Sequence, residues 1–489
     1  MKLKKLCKNS GIKPNPFLAE KEIASISLDS RKTRKGSLFI AIEGFKRDGR
    51  DFIDEALRKG AIVAVTEKPF RKQENIFKVN DARKALSVFA DNFYGSPSKD
   101  LKVIGITGTN GKTTVSMLAK SILETSGATC GLIGTVMYKI GKKRIPAQRT
   151  TPDALLINEL LRSMVREKCW ACVMEVSSHA LDQKRVDGIF YDAALFTNLT
   201  HEHMDYHGNI DHYFASKAKI FDNLKKGAKA ILNADDKRVL RLSGKIRCRK
   251  ITYGLDQTAN ISAKVRKAAL TGSSFDVIIN KKKGFSIDTE LTGFHNISNI
   301  LAAAAIGITQ EIDLKNIKNA IEGVKTIPGR LQSVKKGQPF TVFVDYAHTH
   351  NALEKVLGFL GSMKKGKLIT VFGCGGDRDR EKRPLMGKAA QDFSDYVILT
   401  NDNPRSEDPE NIIRDIERGI SKKSEFYEVI LDRRKAIEKA LKKASCGDIV
   451  LIAGKGHEKE QIIGDETMPF DDRKVAEEIL RLRTIDHRP

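Results

Sequence analysis

The sequence predicts an α/β chain of three units: a central P-loop-type domain with a mostly parallel sheet, a small α/β domain before it and a Rossmann-like α/β domain after it. Three observations predict this. A chain of 489 residues is too long for one hydrophobic core. Short apolar runs alternate with helical patterns along its length, the rhythm of parallel sheets. One such run, in residues 102–116 (KVIGITGTNGKTTVS), ends in a glycine-broken loop that opens a helix at Lys112 or Thr113.

That strand, loop and helix make a phosphate site. Backbone N–H groups around Gly108, Asn110 and Gly111 point at phosphate oxygens, Lys112 neutralises them, the Thr113 hydroxyl can hold Mg²⁺, and the helix dipole adds its positive end. The spacing departs from the strict P-loop pattern, because five residues rather than four separate Gly105 from Gly111.

The first unit spans residues 1–100, with apolar runs at 37–42, 62–65 and 76–79 and a helical stretch at 52–59. Within it Ser30 and Arg31 sit on a polar turn that either meets an anion or simply solvates a loop. The second unit, 101–331, has strand candidates at 103–106, 171–176, 193–196 and 230–232. The third, 332–489, has them at 341–344, 368–372, 396–399 and 449–452, each ending in a polar loop that carries glycine or proline. Ligands of open α/β sheets bind at the carboxyl ends of strands, so these loops are where chemistry belongs.

Composition narrows the class. Hydrophobic content of 40% is ordinary for a globular protein. No apolar run approaches bilayer length, and MKLKKLCKNSG has no long apolar core, so a cytoplasmic protein without membrane insertion is expected. Seven scattered cysteines do not form a disulfide framework. The lone pair Cys169 and Cys172 leads into a buried-strand pattern and is read as two reduced thiols. The net charge of +25 is spread along the chain without aromatic interleaving, so a solvated basic surface is preferred to a nucleic-acid site.

Strand ends carry the remaining chemistry. VMEVSSHAL places Glu175 at the end of a strand, where a carboxylate can hold a metal that bridges nucleotide phosphates. FTNLTHEHMDYHG crowds His201, His203 and His207 with Glu202 and Asp205. It lacks HExxH spacing and a cysteine partner, so Mg²⁺ held by one histidine ranks above zinc. Lys217, in YFASK, reads by itself as an exposed helix lysine.

These motifs together (TGTNGKTT, MEVSSHAL, FTNLTHEHMDYHG, YFASK, then GFHNISN, PGRLQ, VDYAHTHNAL, GCGGDRDREKRP, DNPR and GKGHE) resemble the Mur ligases, the ATP-dependent amide-forming enzymes of peptidoglycan precursor synthesis. The later ones resemble the branch that adds the third residue of the peptide. One departure is HTHNAL, where the family more often has Pro-Asp before Ala352.

The resemblance implies a UDP-sugar-binding domain over 1–100, an ATP-binding domain over 101–331 and an amino-acid-binding domain over 332–489. It implies that Gly108, Thr109, Asn110, Gly111, Lys112, Thr113 and Thr114 bind the ATP phosphates, with Asn299 on the adenine and Arg330, Asp345 and His348 closing on the nucleotide. Thr113, Glu175 and His203 would ligate Mg²⁺ together with Lys217, which aligns with a lysine the family carries as a carbamate. Lys112, Lys217 and His203 would be the catalytic set. Ser30, Arg31, Thr150, Thr151, Ser177, Gln183 and Arg185 match positions that bind UDP-MurNAc-L-Ala-D-Glu. Arg378, Asp402, Asn403, Arg405, Gly454 and Glu458 match positions that bind meso-diaminopimelate.

The implied enzyme is a cytoplasmic monomer that acts through an acyl phosphate on small-molecule substrates alone. The alternatives are a lysine-adding or polyglutamate-adding relative and a P-loop ATPase dependent on nucleic acid. The discriminating residue is Arg405, because a guanidinium can grip the distal carboxylate that diaminopimelate has and lysine lacks. DNPR also reads as an Asn-Pro turn with its arginine in water, but its place just past the apolar run at 396–399 favours a ligand loop.

Overall fold

The computed structural model describes residues 1–44, 47–71, 73–421 and 425–486. The first sheet joins β1 (Ser25–Ser27), β2 (Ser37–Ala41), β3 (Ala61–Thr66) and β4 (Ile76–Lys78) in that order, all parallel.

The central sheet is built on β5 (Lys102–Thr107). It continues with β6 (Cys130–Ile133), β7 (Met137–Ile140), β8 (Lys143–Pro146), β9 (Ala171–Glu175), β10 (Tyr191–Phe196), β11 (Leu224–Asn233), β12 (Arg249–Tyr253), β13 (Ile261–Ala269), β14 (Gly272–Ile279) and β15 (Lys282–Thr289). Its order is β15-β14-β13-β12-β11-β10-β5-β9-β6-β7-β8. Seven strands from β13 to β6 pair in parallel, while β13-β14-β15 and β6-β7-β8 are antiparallel meanders at the two edges.

The meanders are absent from the strand candidates, and the reason is visible in their burial. β8 is half or fully exposed, and β13 loses its buried pattern after Ala263, so neither reads as an apolar run. β5 is buried on both faces, as a central parallel strand must be. Ile104 and Ile106 pack with the helices Lys112–Glu124 and Phe294–Thr309, whereas Val103 faces the opposite core with Met164 and Tyr191.

The third sheet comprises β16 (Gln332–Ser333), β17 (Thr341–Asp345), β18 (Leu368–Phe372), β19 (Tyr396–Leu399), β20 (Tyr427–Val429) and β21 (Ile449–Ala453). Its order is β16-β17-β21-β18-β19-β20, parallel except at β16. A separate hairpin, β22 (Glu460–Ile463) with β23 (Glu466–Pro469), stands beside it. Among the described residues no helix is long and apolar enough to cross a membrane. Cys169 and Cys172 are buried and unbridged, and burial pushes both thiols up.

Candidate active site

The phosphate loop resolves the irregular spacing. β5 runs through Thr107, so Gly105 lies inside the strand, where a Cβ would meet the Tyr191 ring at 2.7 Å. It is a packing glycine. The loop begins at Gly108, whose φ of 139° excludes an ordinary side chain, and closes at Gly111 (φ 89°) as the helix starts at Lys112. The end of β10 braces the loop. Thr109 N–H donates to the Asn198 carbonyl at 2.8 Å, Asn110 N–H to Asn198 Oδ1 at 2.9 Å, and Thr197 Oγ1 to the Asn110 carbonyl at 2.6 Å. Part of the FTNLTHEHMDYHG motif therefore shapes the loop, a role that sequence reasoning missed.

Two lysines meet behind this loop. Lys112 Nζ donates to the carbonyls of Gly108 and Thr109, both at 2.8 Å. Lys217 Nζ donates to the Gly108 carbonyl at 2.8 Å and lies over the Tyr213 ring. Lys217 is 1% exposed, which corrects its reading as an exposed helix lysine: it lies on the inward face of the helix Ile210–Ala218. Burial, reinforced by Lys112, pushes its amine well below the usual lysine range.

Glu175 ends β9 and is 1% exposed. Its carboxylate accepts from Thr113 Oγ1 at 2.9 Å, Thr135 Oγ1 at 2.8 Å, Thr135 N–H at 3.0 Å and Ser116 Oγ at 3.3 Å. Thr135 and Ser116 were missed, since isolated hydroxyl residues after an apolar run carry no sequence signal.

The histidines separate. His207 is buried against Ser178 Oγ at 3.0 Å, and His201 is exposed. His203 faces the cavity, and burial together with Lys217 and Lys112 pushes its imidazole down to about 3. Among the described residues no three His, Cys, Asp or Glu side chains gather as a metal centre. A hydroxyl, a carboxylate and a neutral imidazole suit Mg²⁺, which keeps waters and takes phosphate oxygens as further ligands.

From the segment that leads into the third sheet, Arg330 Nη2 donates to Thr113 Oγ1 at 3.3 Å, with its guanidinium over the Tyr346 ring. Asp345, at the end of β17, is 5% exposed and accepts from Leu331 N–H at 2.6 Å and Ala347 N–H at 2.8 Å. His348 Nε2 lies 3.7 Å from Glu202, a central-unit carboxylate that the sequence did not single out for this contact. Burial pushes the His348 imidazole down to about 4.

Two adjoining cavities result. One of about 770 Å³ is lined by Asn110, Gly111, Thr114, Asn299, Arg330 and Asp345 among others. The second, about 340 Å³, shares Asn110, Gly111 and Arg330 with it. The second has Lys112, Thr113, Thr150, Ser177 and His203 on one wall, and Arg378, Asp402, Asn403, Arg405, Gly454 and Glu458 on the other.

Arg405 Nη1 donates to the Gly376 carbonyl at 2.8 Å, and among the described residues the guanidinium has no carboxylate partner. The adjoining loops are locked by fully buried Arg383, which donates to Glu407 at 2.9 and 3.0 Å and to Asp415 at 3.0 Å.

A third cavity of about 360 Å³ lies between the first and central units, with Arg83, Gln148, Arg149, Gln183 and Arg185 on its walls. Arg185 Nη1 donates to the Thr151 carbonyl at 2.9 Å, and Thr151 Oγ1 to the Glu175 carbonyl at 2.9 Å. Ser30 and Arg31 stay outside these cavities. Ser30 Oγ donates to Glu55 at 2.7 Å, and exposed Arg31 pairs with Asp29.

Comparison with known proteins agrees along the whole chain. Residues 22–94 match the Mur ligase family, catalytic domain; 106–307 the Mur ligase middle domain; and 329–456 the Mur ligase, glutamate ligase domain. A protein of Clostridium botulinum named UDP-N-acetylmuramoyl-L-alanyl-D-glutamate--2,6-diaminopimelate ligase is 44% identical over 469 residues, 94% of this chain and 96% of the relative. One of the same name from Bacillus velezensis is 44% identical over 93% of this chain and 94% of its own length.

A solved structure of the same name superposes with a TM-score of 0.70 at 32% identity, covering 99% of both chains. The MurF ligase from Thermotoga maritima, solved with ADP, shares the fold at a TM-score of 0.63 and 19% identity over 95% of this chain and 99% of its own. With its phosphate loop, its buried lysine and its three family segments in order, the chain belongs to the Mur ligase family.

Proposed function

We propose that this chain is the ATP-dependent ligase that joins meso-2,6-diaminopimelate to the D-glutamyl carboxylate of UDP-MurNAc-L-Ala-D-Glu. One observation carries the reading. The phosphate loop and the DNPR and GKGHE residues line a single cavity, an arrangement that would bring a nucleotide and an amino acid to one point. The names of the relatives support it.

The reaction passes the γ-phosphoryl group of ATP to the D-glutamyl carboxylate, giving an acyl phosphate and ADP. The diaminopimelate amine then attacks, and phosphate leaves. The N–H groups of Gly108 to Thr114 and the Lys112 ammonium take the phosphate charge that spreads over the transferring oxygens. Arg330 adds a second cation from the opposite wall, beside Thr113. Asn299 would meet the adenine, with Asp345 and His348 closing on the nucleotide beside Arg330.

Thr113, Glu175, His203 and a carbamate on Lys217 would hold Mg²⁺, which neutralises phosphate charge when bound. Carbamylation suits Lys217, because a buried neutral amine can add CO₂, and the product is a carboxylate in place of an ammonium that would repel the metal. The first unit (1–100) and the start of the central one would take the UDP-sugar peptide, through Ser30, Arg31, Thr150, Thr151, Ser177, Gln183 and Arg185. Loops of the third unit (332–489) over the phosphate loop exclude water that would hydrolyse the acyl phosphate.

Diaminopimelate is favoured over lysine by the Arg405 guanidinium, which has no carboxylate partner among the described residues. A carboxylate from the substrate pairs with it, whereas lysine leaves it unpaired, a penalty that reaches roughly 10⁴-fold in sites built on such a contact. The test is phosphate release over a panel of UDP-MurNAc peptides and amino acids, with wild type and Arg405→Ala. Diaminopimelate should be preferred by the wild type and the preference lost in the variant. Equal use of lysine by the wild type, or an unchanged preference in the variant, overturns the assignment.

A further inference from the structure

Residues 460–469 form a hairpin that adds nothing to the core. Its outer strand, β23, is fully exposed, and none of its side chains joins a hydrophobic cluster of the described residues. Ile463 and Met468 are 37% and 40% exposed. An isolated two-stranded hairpin is marginal in water, so this one is held by what it touches. What it touches is the loop 402–405.

Four hydrogen bonds join them. Gln461, 6% exposed, donates its side-chain amide to the Asp402 carbonyl at 2.9 Å. Ile462 N–H donates to Asn403 Oδ1 at 3.0 Å. Arg405 N–H donates to the Ile462 carbonyl at 3.1 Å, and Gly464 N–H to the Arg405 carbonyl at 2.8 Å. The last two bonds flank a parallel bridge between Arg405 and Ile463.

Arg405 itself stands at φ 54°, a left-handed conformation that is strained for a non-glycine residue and persists only where its surroundings impose it. The bridge imposes it, and the conformation aims the guanidinium at the Gly376 carbonyl and the cavity. The remaining faces of Asn403 are filled as well: Lys455 Nζ donates to Oδ1 at 2.9 Å, and Nδ2 donates to Glu458 at 2.9 Å.

We infer that the hairpin 460–469 is a specificity clamp, with Gln461 the positioning residue that sets the backbone of Asp402 to Arg405 and so the aim of the Arg405 guanidinium on the amino-acid substrate. The inference rests on the assignment of Arg405 to the distal carboxylate of diaminopimelate. Gln461 touches no reacting atom. It fixes a carbonyl that would otherwise rotate, and a misplacement of about 1 Å at such a site can cost about 10²-fold.

The test compares kcat and each KM for Gln461→Ala and for Gln461→Glu, which keeps the volume but replaces the donor with an acceptor. Thr467→Ala on the exposed strand is the control. Both Gln461 variants should raise the KM for diaminopimelate at least tenfold and shrink the diaminopimelate-to-lysine ratio of kcat/KM. The KM for ATP, the KM for the UDP-sugar peptide and the Tm should stay near wild type, as should Thr467→Ala throughout. The double variant Gln461→Ala/Arg405→Ala should be no less selective than Arg405→Ala alone. Selectivity lost in Arg405→Ala but kept in both Gln461 variants overturns the clamp and leaves the substrate assignment standing. Selectivity kept in Arg405→Ala overturns the assignment itself. Equal losses for all three substrates, or a fall in Tm that accounts for the lost activity, show a merely structural hairpin and overturn the clamp.

Discussion

Lys112 and Lys217, from two different helices, donate to the same carbonyl oxygen, that of Gly108, each at 2.8 Å. Among the described residues neither amine forms an ion pair. Two ammonium groups at one acceptor repel each other, and this lowers the proton affinity of the more deeply buried amine most. Burial pushes both amines down, Lys217 well below the usual lysine range, which favours Lys217 as the amine that reacts with CO₂. Lys217→Ala should be nearly inactive and partly rescued by short carboxylic acids, which replace the missing carbamate oxygen atoms. Full activity of the variant in CO₂-free buffer would remove the carbamate from the mechanism.

Lys112, lowered less far because Glu202 and Glu175 support its charge, is proposed for the other role. Its amine is folded onto two carbonyls of the loop, which it can leave when an anion enters. Lys112→Ala should lower kcat by about 10²–10³-fold or more, the cost of removing one preorganised charge from a transition state. Turnover near that of wild type at saturating ATP would exclude this loop as the phosphate site.

Gly105 and Gly108 should fail in different ways. Alanine at 105 pushes a methyl into the Tyr191 ring and toward Ile220 at 3.1 Å, overpacking that should destabilise by about 1–3 kcal/mol with the KM for ATP unchanged. Alanine at 108 strains a φ of 139° and thrusts a Cβ into Thr197, so ATP affinity should be lost. Thermal melts with and without ATP separate the two. A loss of ATP binding in Gly105→Ala would return that glycine to the loop.

Arg433 and Asp472 form an ion pair with both side chains fully buried, 2.7 Å between Nε and Oδ1. Arg433 also donates to the Ala453 carbonyl at 2.9 Å and the Asn401 carbonyl at 3.2 Å, tying the ends of β21 and β19 to the last helix, Asp472–Asp486. Arg433→Met leaves Asp472 buried without a partner and should cost about 3–5 kcal/mol, read as an earlier urea midpoint. A midpoint within error of wild type would show that water reaches the pair.

Several strand positions were legible because a parallel strand covered on both faces is a continuous apolar run. β18 and β19 lie at the residues that the pattern marks, and β5 and β21 differ by only one or two. The edge meanders were not legible, since strands with one wet face and mixed polarity leave no such run.

Local chemistry decided the phosphate loop: glycine where φ is positive, and lysine and threonine at a helix start. These depend on neighbours in sequence, so the sequence by itself determined them. Only the tertiary structure decided that Lys217 is buried, that Thr135 and Ser116 hold Glu175, and that residues 402–405 pair with residues 460–464. Burial and pairing between distant segments are properties of packing, and a lysine on a helix carries no mark of which face will meet the core.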